Sequence, residues 1–292
     1  MKTARIMSIV LFVAALAAFI FYELYNRKTA DYSAPVITAD STSIVISVNA
    51  NDEELKEGMS AIDNRDGDVT DTLVVASLSK FIKKNMRQAT YVAFDHNNNV
   101  GRYTRELTYS DYVSPRFVLK RPLCFHMNDS YDNIEISSMI GAEDVLDGNI
   151  SSQIIVTQGD RYTYDEDTER QVIDIQVSNR AGDTQSLKLE LRYLSYTAYN
   201  RQCPNLEDYI LYTTVGNMPD FHANIKGVRS GSNTVELDQT HYGLYSNFDI
   251  DMSDADLQTP GVYRVVYRLT SDETGEPIVL GSSELILIVE EE

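Results

Sequence analysis

The chain has 292 residues, with 44 Asp and Glu against 25 Lys and Arg, which gives a formal net charge of −19. This acidity excludes nucleic-acid binding over most of the surface. An apolar content of 43% excludes a generally disordered chain, because enough side chains are available to bury a core. The length allows two or three domains of roughly 100 residues each.

The first predicted element is a membrane-spanning helix near the amino terminus. Ile6–Tyr22 is an uncharged apolar run between Arg5 and Glu23. At about 1.5 Å per residue it reaches roughly 25 Å, close to the ~30 Å hydrocarbon core of a bilayer. Positive charge concentrates before this run, which predicts a cytoplasmic amino terminus and an exported remainder. A cleaved signal peptide is the alternative, but its small-residue cleavage site, Ala15–Ala17, falls inside the apolar run, which favours an uncleaved anchor.

The rest of the chain predicts β-strands. Leu187, Leu189, Leu191 and Tyr193 alternate with polar residues, which places one face of a strand on a core and the other in water. One short helical turn is predicted outside the anchor, at Asn205–Leu211. Strands of this length separated by Asp, Asn and Gly turns predict antiparallel sandwiches. The clearest predicted strands are Ser43–Val48, Ala89–Phe94, Gln171–Val177, Ser186–Arg192, Gly261–Leu269 and Glu284–Val289.

The exported region contains a repeat of about 81 residues. Ala61–Thr70 matches Ala142–Ser151, with a turn of the Asp-Gly-Asp or Asp-Gly-Asn type in each. A third segment lacks this turn, but its Thr259–Tyr267 followed by Glu284–Val289 is typical of the last two strands of such a unit. Further landmarks fall at nearly the same offset: Asn98–Gly101 opposite Asn179–Gly182, and Pro35 opposite Pro115.

The motif Leu55–Thr70 resembles bacterial Ig-like modules that occur in tandem on Gram-positive surface proteins and are typified by an Ig-like domain of a pesticidal crystal protein. Pro260–Tyr267 and Arg180–Asp183 match two further features of that family. Lys84–Ala89 departs from it, because the family has Pro-Gly before the strand that contains Tyr91. The resemblance covers residues 35–193 and, more weakly, 204–290.

The resemblance implies an all-β fold of tandem immunoglobulin-like β-sandwiches behind one N-terminal transmembrane helix. The predicted parts are a cytoplasmic stub and transmembrane signal-anchor at 1–28, a linker at 29–34, Ig-like domain 1 at 35–112, Ig-like domain 2 at 113–196, and a divergent Ig-like or β-sandwich domain 3 at 197–292. The predicted location is the cell membrane, with the amino terminus cytoplasmic and the bulk of the chain extracellular.

The acidic turns suggest a metal site, because oxygen ligands two and three residues apart around a Gly can hold Ca²⁺. The same pattern also suits a tight turn without metal, and no Glu completes an EF-hand loop, so the structural turn is favoured over Ca²⁺. No other cofactor is predicted. The candidate ligands are Asp63, Asp66 and Asp68 in the first repeat and Asp144, Asp147 and Asn149 in the second.

One basic segment opposes the overall charge. Lys80, Lys83, Lys84 and Arg87 lie close together and could contact anionic lipid, a wall polymer or an acidic protein. A solvated strand edge, in which Lys discourages pairing with other strands, is the favoured alternative.

The only cysteines are Cys124 and Cys203, which lie 79 residues apart. A disulfide between them would close a long loop and stabilise the chain by about 4 kcal/mol on the entropy model. Two free thiols are the alternative. Neither cysteine has metal-ligand spacing to another Cys or His, so no zinc site is predicted.

The sequence predicts a protein that is not an enzyme, since it contains none of the common catalytic or nucleotide-binding motifs. The predicted function is a membrane-anchored bacterial surface protein that serves as a spacer, an adhesion module or a protein-interaction module. Its predicted partners are the membrane, which it contacts through the helix, and an unidentified surface protein or wall polymer. No nucleic-acid partner is predicted. One alternative is a carbohydrate- or cell-wall-binding module that exposes tyrosines. A second is a hydrolase whose site uses His222 or His241 in domain 3.

Overall fold

The computed structural model describes residues 2–29, 31–129, 136–236, 247–271 and 277–291. The chain divides into two compact units, unit 1 (Met1–Tyr112) and unit 2 (Val113–Glu292). The predicted fold class is confirmed: β-sandwiches follow one N-terminal apolar helix.

The N-terminal helix, α1, runs Lys2–Thr29. Within it Arg5–Asn26 has a mean hydropathy of 2.3, and none of this stretch is buried against the protein. The helix is therefore long and apolar enough to cross a bilayer. An uncleaved anchor and a signal sequence share this property.

Unit 1 contains the first sandwich. Its three-stranded sheet has the order β1-β3-β4 and its four-stranded sheet the order β2-β7-β6-β5. A short helix, α2 (Asp52–Leu55), begins at Asn51, whose side chain accepts hydrogen bonds from the amides of Glu53 and Glu54. The strands are β1 (Val36–Ala39), β2 (Ser43–Ile46), β3 (Met59–Asp63), β4 (Gly67–Asp68), β5 (Val74–Leu78), β6 (Met86–Phe94) and β7 (Val100–Tyr109).

The second sandwich repeats this arrangement in unit 2. Its sheets have the orders β8-β10-β11 and β9-β14-β13-β12. Leu187, Leu189, Leu191 and Tyr193 on β14 are all buried, which confirms the alternation predicted from the sequence. The strands are β8 (Arg116–Leu119), β9 (Cys124–His126), β10 (Ile140–Asp144), β11 (Gly148–Asn149), β12 (Ile155–Thr163), β13 (Thr168–Ser178) and β14 (Thr184–Leu194).

The third sandwich follows a short helix, α3 (Tyr196–Tyr199). Its sheets have the orders β15-β17-β18 and β16-β21-β20-β19. In the described residues it therefore has the same seven-strand topology as the first two, although its sequence lacks the acidic turn. The strands are β15 (Gln202–Leu206), β16 (Ile210–Thr214), β17 (Ile225–Ser230), β18 (Asn233–Glu236), β19 (Phe248–Asp251), β20 (Gly261–Ser271) and β21 (Ile278–Glu290).

The helical turn predicted at Asn205–Leu211 is wrong. This segment contains the end of β15 and the start of β16. Leu206 pairs with Ile225, and Ile210 pairs in parallel with Ile286. Sheet pairing with residues far along the chain decides the conformation here, and local spacing does not carry that information.

The second and third sandwiches share one apolar core that extends from Phe117 to Val289. Backbone hydrogen bonds also join them, since the Tyr209 amide donates to the carbonyl oxygen of Leu119 at 2.7 Å. The segments predicted as domains 2 and 3 therefore lie within one compact unit.

Gly101 lies against the backbone at the start of the first sandwich. A Cβ added at Gly101 would stand 2.1 Å from the carbonyl oxygen of Pro35 and 3.0 Å from its carbonyl carbon. Because a strand must shift to relieve this clash, we expect Gly101→Ala to destabilise unit 1 by about 1–3 kcal/mol. Hydrogen exchange of unit 1 peptides, measured during urea unfolding, determines this loss.

Gly141→Ala is the matched control for Gly101→Ala. Its new Cβ would meet Val118 at an ordinary contact distance of 3.4 Å. We expect this control to change stability by no more than about 0.5 kcal/mol. Equal losses in the two variants would contradict the steric explanation.

Candidate functional site

The two acidic turns have nearly the same geometry, and their first aspartates build the turns. Asp63 Oδ1 accepts hydrogen bonds from the amides of Arg65 and Asp66, at 2.8 and 3.0 Å. Asp144 Oδ1 likewise accepts hydrogen bonds from the amides of Leu146 and Asp147, both at 2.9 Å. One oxygen of each carboxylate is therefore committed to local structure.

The next acidic positions also accept hydrogen bonds from backbone amides. His96 N donates to Asp66 Oδ2 at 2.8 Å, and Thr70 N donates to Asp68 Oδ1 at 2.9 Å. The His96 amide holds the pKa of Asp66 below its usual value. The second sandwich repeats both contacts: Arg180 N donates to Asp147 Oδ2 at 2.6 Å, and Ser151 N donates to Asn149 Oδ1 at 3.0 Å.

Unit 1 also contains a carboxylate cluster, formed by Asp31, Asp63 and Asp95. Each contributes one carboxylate oxygen to a group in which all these oxygens lie within 4.8 Å of one another. The three residues are only 8%, 3% and 7% exposed. They come from the segment before β1, the end of β3 and the turn after β6. The fold therefore brings three buried acids together from separate parts of the chain.

Hydrogen bonds hold these carboxylates in place but leave two oxygens unsatisfied. Asp31 Oδ1 accepts from the hydroxyl of Ser33 at 2.6 Å, which holds the pKa of Asp31 below its usual value. Asn99 donates to both oxygens of Asp95, from its amide nitrogen at 2.7 Å and from its side chain at 2.6 Å. Asp31 Oδ2 and Asp63 Oδ2 are buried and have no hydrogen-bond partner. The guanidinium of Arg65 lies 3.7 Å from Asp31 Oδ2.

Of the six predicted metal ligands, the described structure brings only Asp63 into a group that could hold a metal. Calcium binding by the acidic turns themselves stays a prediction. Asp31 and Asp95 were missed because each lies about 32 residues from Asp63 and shares no local motif with it. The predicted match of Asn98 with Asn179 is wrong by three residues, because the side chains of Asp95 and Asn179 begin equivalent turns and each accepts from the amide four residues later.

The predicted basic segment lies at the β5–β6 hairpin. Lys80, Lys83 and Lys84 are exposed in the connection between the two strands, where Lys83 forms an isolated bridge with Met86. Arg87 is partly buried, and its guanidinium carbon lies 5.1 Å from the ring centroid of Tyr109. Partner binding by these four residues stays a prediction.

Both cysteines are free thiols in the structure and line two cavities of unit 2. Cys124 lines a cavity of about 260 Å³, and Cys203 lines another of about 480 Å³. Arg192 and Arg229 contribute to both. Cys203 is 7% exposed, and burial raises the pKa of its thiol.

The two thiols should differ in reactivity towards a neutral maleimide. Each unit by which a thiol pKa rises lowers the reactive thiolate fraction about tenfold, and burial also blocks access. We therefore expect Cys124, which is partly exposed, to label faster than the buried Cys203 in the native protein. Mass spectrometry of labelled peptides measures both rates, with unfolded protein as the control.

The same labelling experiment tests the predicted disulfide. If the exported protein carries a Cys124–Cys203 bridge, neither peptide labels until the unfolded protein is reduced. Equal native rates at the two positions would contradict the role assigned to burial.

The histidines do not assemble an obvious catalytic centre in the described residues. His96 is largely exposed, and its Nδ1 lies 3.1 Å from Asp66 Oδ2. The ring of His126 packs 3.9 Å from that of Tyr199. His222 is exposed and lines neither of the two cavities described above. His241 lies outside the described residues.

No family model and no curated protein matches this chain. It is similar to the M60 catalytic domain with the CBM51-1 and CBM51-2 domains of Clostridium perfringens ZmpB, at 12% identity and a TM-score of 0.21, over 90% of this chain and 31% of that one. It is also similar to the protocadherin gammaB4 extracellular domain, at 11% identity and a TM-score of 0.20, over 90% and 50% of the two chains. A third similar structure is mouse cadherin-23 EC22-24, at 12% identity and a TM-score of 0.20, over 89% of this chain and 99% of that one. Similarities at this level carry no argument about activity or partner.

Proposed function

We propose that this chain is a single-pass membrane protein that displays tandem Ig-like sandwiches at a bacterial cell surface as a spacer, adhesion or protein-interaction module. The observation that carries the proposal is the order of its parts: an exposed apolar helix comes first, and three sandwiches of one topology follow it. A helix of this kind buries its apolar surface in a bilayer. The sandwiches need no membrane, because their apolar faces are buried in the cores of units 1 and 2.

The charge distribution supports the proposed orientation. Lys2 and Arg5 precede the span, which favours a cytoplasmic amino terminus. Residues 201–292 carry 16 acidic against 5 basic residues, and an acidic surface keeps an exported protein soluble and away from anionic membranes. The bacterial origin rests on the resemblance of Leu55–Thr70 to Ig-like surface modules.

A carbohydrate- or wall-binding role is the second candidate, because two tyrosines are exposed two residues apart. Tyr162 and Tyr164 are 46% and 58% exposed, and the guanidinium of Arg170 lies 3.6 Å from the ring centroid of Tyr164. Exposed rings of this kind can stack on sugars. If this role is correct, Tyr162→Ala/Tyr164→Ala abolishes co-sedimentation of the protein with purified cell walls, whereas Tyr196→Ala leaves it unchanged.

Membrane fractionation tests the first proposal. The full chain should pellet with membranes and resist extraction by high salt and carbonate, whereas a variant lacking residues 2–30 should be soluble. Mass spectrometry of the membrane form should recover the N-terminal peptide, because the anchor is not cleaved. A soluble full chain, or a mature protein that begins after the apolar run, would overturn the proposal.

A further inference from the structure

The second sandwich provides an internal reference for the carboxylate cluster. Asp144 corresponds to Asp63, and Asn179 takes the place of Asp95 at the start of the facing turn. Asn179 Nδ2 donates to Asp144 Oδ2 at 2.9 Å, so both oxygens of this buried carboxylate are satisfied. The corresponding oxygen in the first sandwich, Asp63 Oδ2, has no partner.

The turns around these residues are otherwise alike. Asp95 Oδ1 accepts from the amide of Asn99 at 2.7 Å, just as Asn179 Oδ1 accepts from the amide of Asp183 at 2.9 Å. The difference is therefore chemical rather than conformational. The first sandwich replaces an amide donor with a second carboxylate, and Asp31 adds a third.

Three buried carboxylates so close together are unfavourable unless a positive group compensates them. The nearby Arg65 is half exposed, and its Nε lies 3.7 Å from Asp31 Oδ2, which is longer than a hydrogen bond. Asp63 is 97% buried, its Oδ2 has no hydrogen-bond partner, and one of its carboxylate oxygens lies within 4.8 Å of oxygens of the other two acids. A ligand that accepts several oxygen donors would satisfy this arrangement.

We propose that Asp31, Asp63 and Asp95 bind a divalent metal ion of the calcium type. Hard cations take oxygen ligands, and Ca²⁺ lies about 2.3–2.6 Å from each of them. Two oxygens on one Ca²⁺ can therefore be at most about 5 Å apart, and the cluster oxygens lie within 4.8 Å of one another. Mg²⁺ needs shorter and more regular contacts. Water would complete the coordination.

This ion would connect three segments of unit 1. Asp31 lies two residues after α1 ends at Thr29, whereas Asp63 and Asp95 belong to the first sandwich. Binding would therefore fix the segment that follows the helix onto the sandwich. The inference goes beyond the proposed function and does not depend on the direction in which the chain crosses a membrane.

Asp95→Asn is the decisive variant, because the second sandwich already has an asparagine, Asn179, at the corresponding position. The new amide should donate to Asp63 Oδ2 as Asn179 does to Asp144, so the variant should fold. Isothermal titration of the full chain in detergent with CaCl₂, up to about 10 mM, should give one site in the wild type. We expect the affinity of the variant to be at least tenfold weaker and its calcium-dependent rise in melting temperature to be lost.

Three controls accompany this comparison. Asp160→Asn removes an exposed carboxylate elsewhere and should leave calcium binding unchanged. Without calcium, Asp95→Asn should melt close to the wild-type temperature, because relief of repulsion and the new hydrogen bond to Asp63 offset the loss of the Asn99 side-chain hydrogen bond to Asp95 Oδ2. MgCl₂ should stabilise the wild type less than CaCl₂ does.

Hydrogen exchange gives a readout that a general loss of charge would not produce. Calcium should slow exchange in peptides that cover residues 31–35 of the wild type and leave those of Asp95→Asn unchanged. Absence of calcium binding by the wild type, equal affinity in the wild type and Asp95→Asn, or unchanged exchange at 31–35 would each overturn the proposal.

Discussion

We expect Tyr267→Ala to destabilise unit 2 by about 3–5 kcal/mol, because loss of a buried aromatic side chain leaves a cavity. Tyr267 lies on β20, is fully buried, and donates a hydrogen bond from its hydroxyl to the carbonyl oxygen of Phe221 at 3.0 Å. Burial raises the pKa of Tyr267 to about 12, so the hydroxyl stays protonated as a donor at neutral pH. The side chain therefore contributes both apolar area and a buried hydrogen bond.

Hydrogen exchange during urea unfolding measures this loss, and unit 1 provides an internal reference. Because one core runs through the second and third sandwiches, peptides from Arg116–Leu119 should lose protection together with those around Tyr267. Tyr267→Phe should cost only about 1–2 kcal/mol, since it removes the hydroxyl and keeps the ring. Loss of protection confined to the third sandwich would contradict the shared core.

We expect Tyr91→Ala to have a comparable effect in unit 1, again about 3–5 kcal/mol. Tyr91 is fully buried on β6, and its hydroxyl donates to the carbonyl oxygen of Leu55 at 2.7 Å. Leu55 ends α2, so this hydrogen bond fixes the short helix to the four-stranded sheet. Truncation should therefore weaken both the core and the attachment of α2.

Tyr32→Ala is the matched control in the same unit, because Tyr32 is 79% exposed. We expect this control to stay within about 0.5 kcal/mol of the wild type. Hydrogen exchange of unit 1 peptides, measured during thermal unfolding, compares the stabilities of Tyr91→Ala and Tyr32→Ala. A loss below about 1 kcal/mol for Tyr91→Ala would mean that the ring contributes little to the core.

The architecture could be predicted wherever the determining signal is local. Alternation at Leu187, Leu189 and Leu191 predicts a strand with one buried face, and the structure has that strand. The repeated Asp-Gly turns locate two equivalent sandwiches. The third sandwich has the same topology without the turn, and its β15 and β16 depend on pairing with β17 and β21. Such long-range pairing leaves no periodic trace in a segment as short as Asn205–Leu211.

The candidate metal site could be predicted only in part, for a similar reason. Asp63 belongs to a recognisable turn, and its neighbours Asp66 and Asp68 are equally prominent in the sequence. The structure uses those two neighbours to accept backbone hydrogen bonds and instead brings Asp31 and Asp95 to Asp63. Spacing along the chain identifies turn chemistry, whereas the meeting of three separate segments is a property of the fold.

In the proposed orientation the sandwiches lie outside the cell and the amino terminus lies inside. Its most direct test is cysteine labelling in intact cells that have a single membrane, using a background of Cys124→Ser and Cys203→Ala. One reporter is Ser253→Cys, at an exposed position of the third sandwich, and the other is Thr3→Cys. A membrane-impermeant maleimide should label Ser253→Cys in intact cells and Thr3→Cys only after permeabilisation. Labelling of Thr3→Cys in intact cells, or protection of Ser253→Cys until permeabilisation, would contradict the proposed orientation.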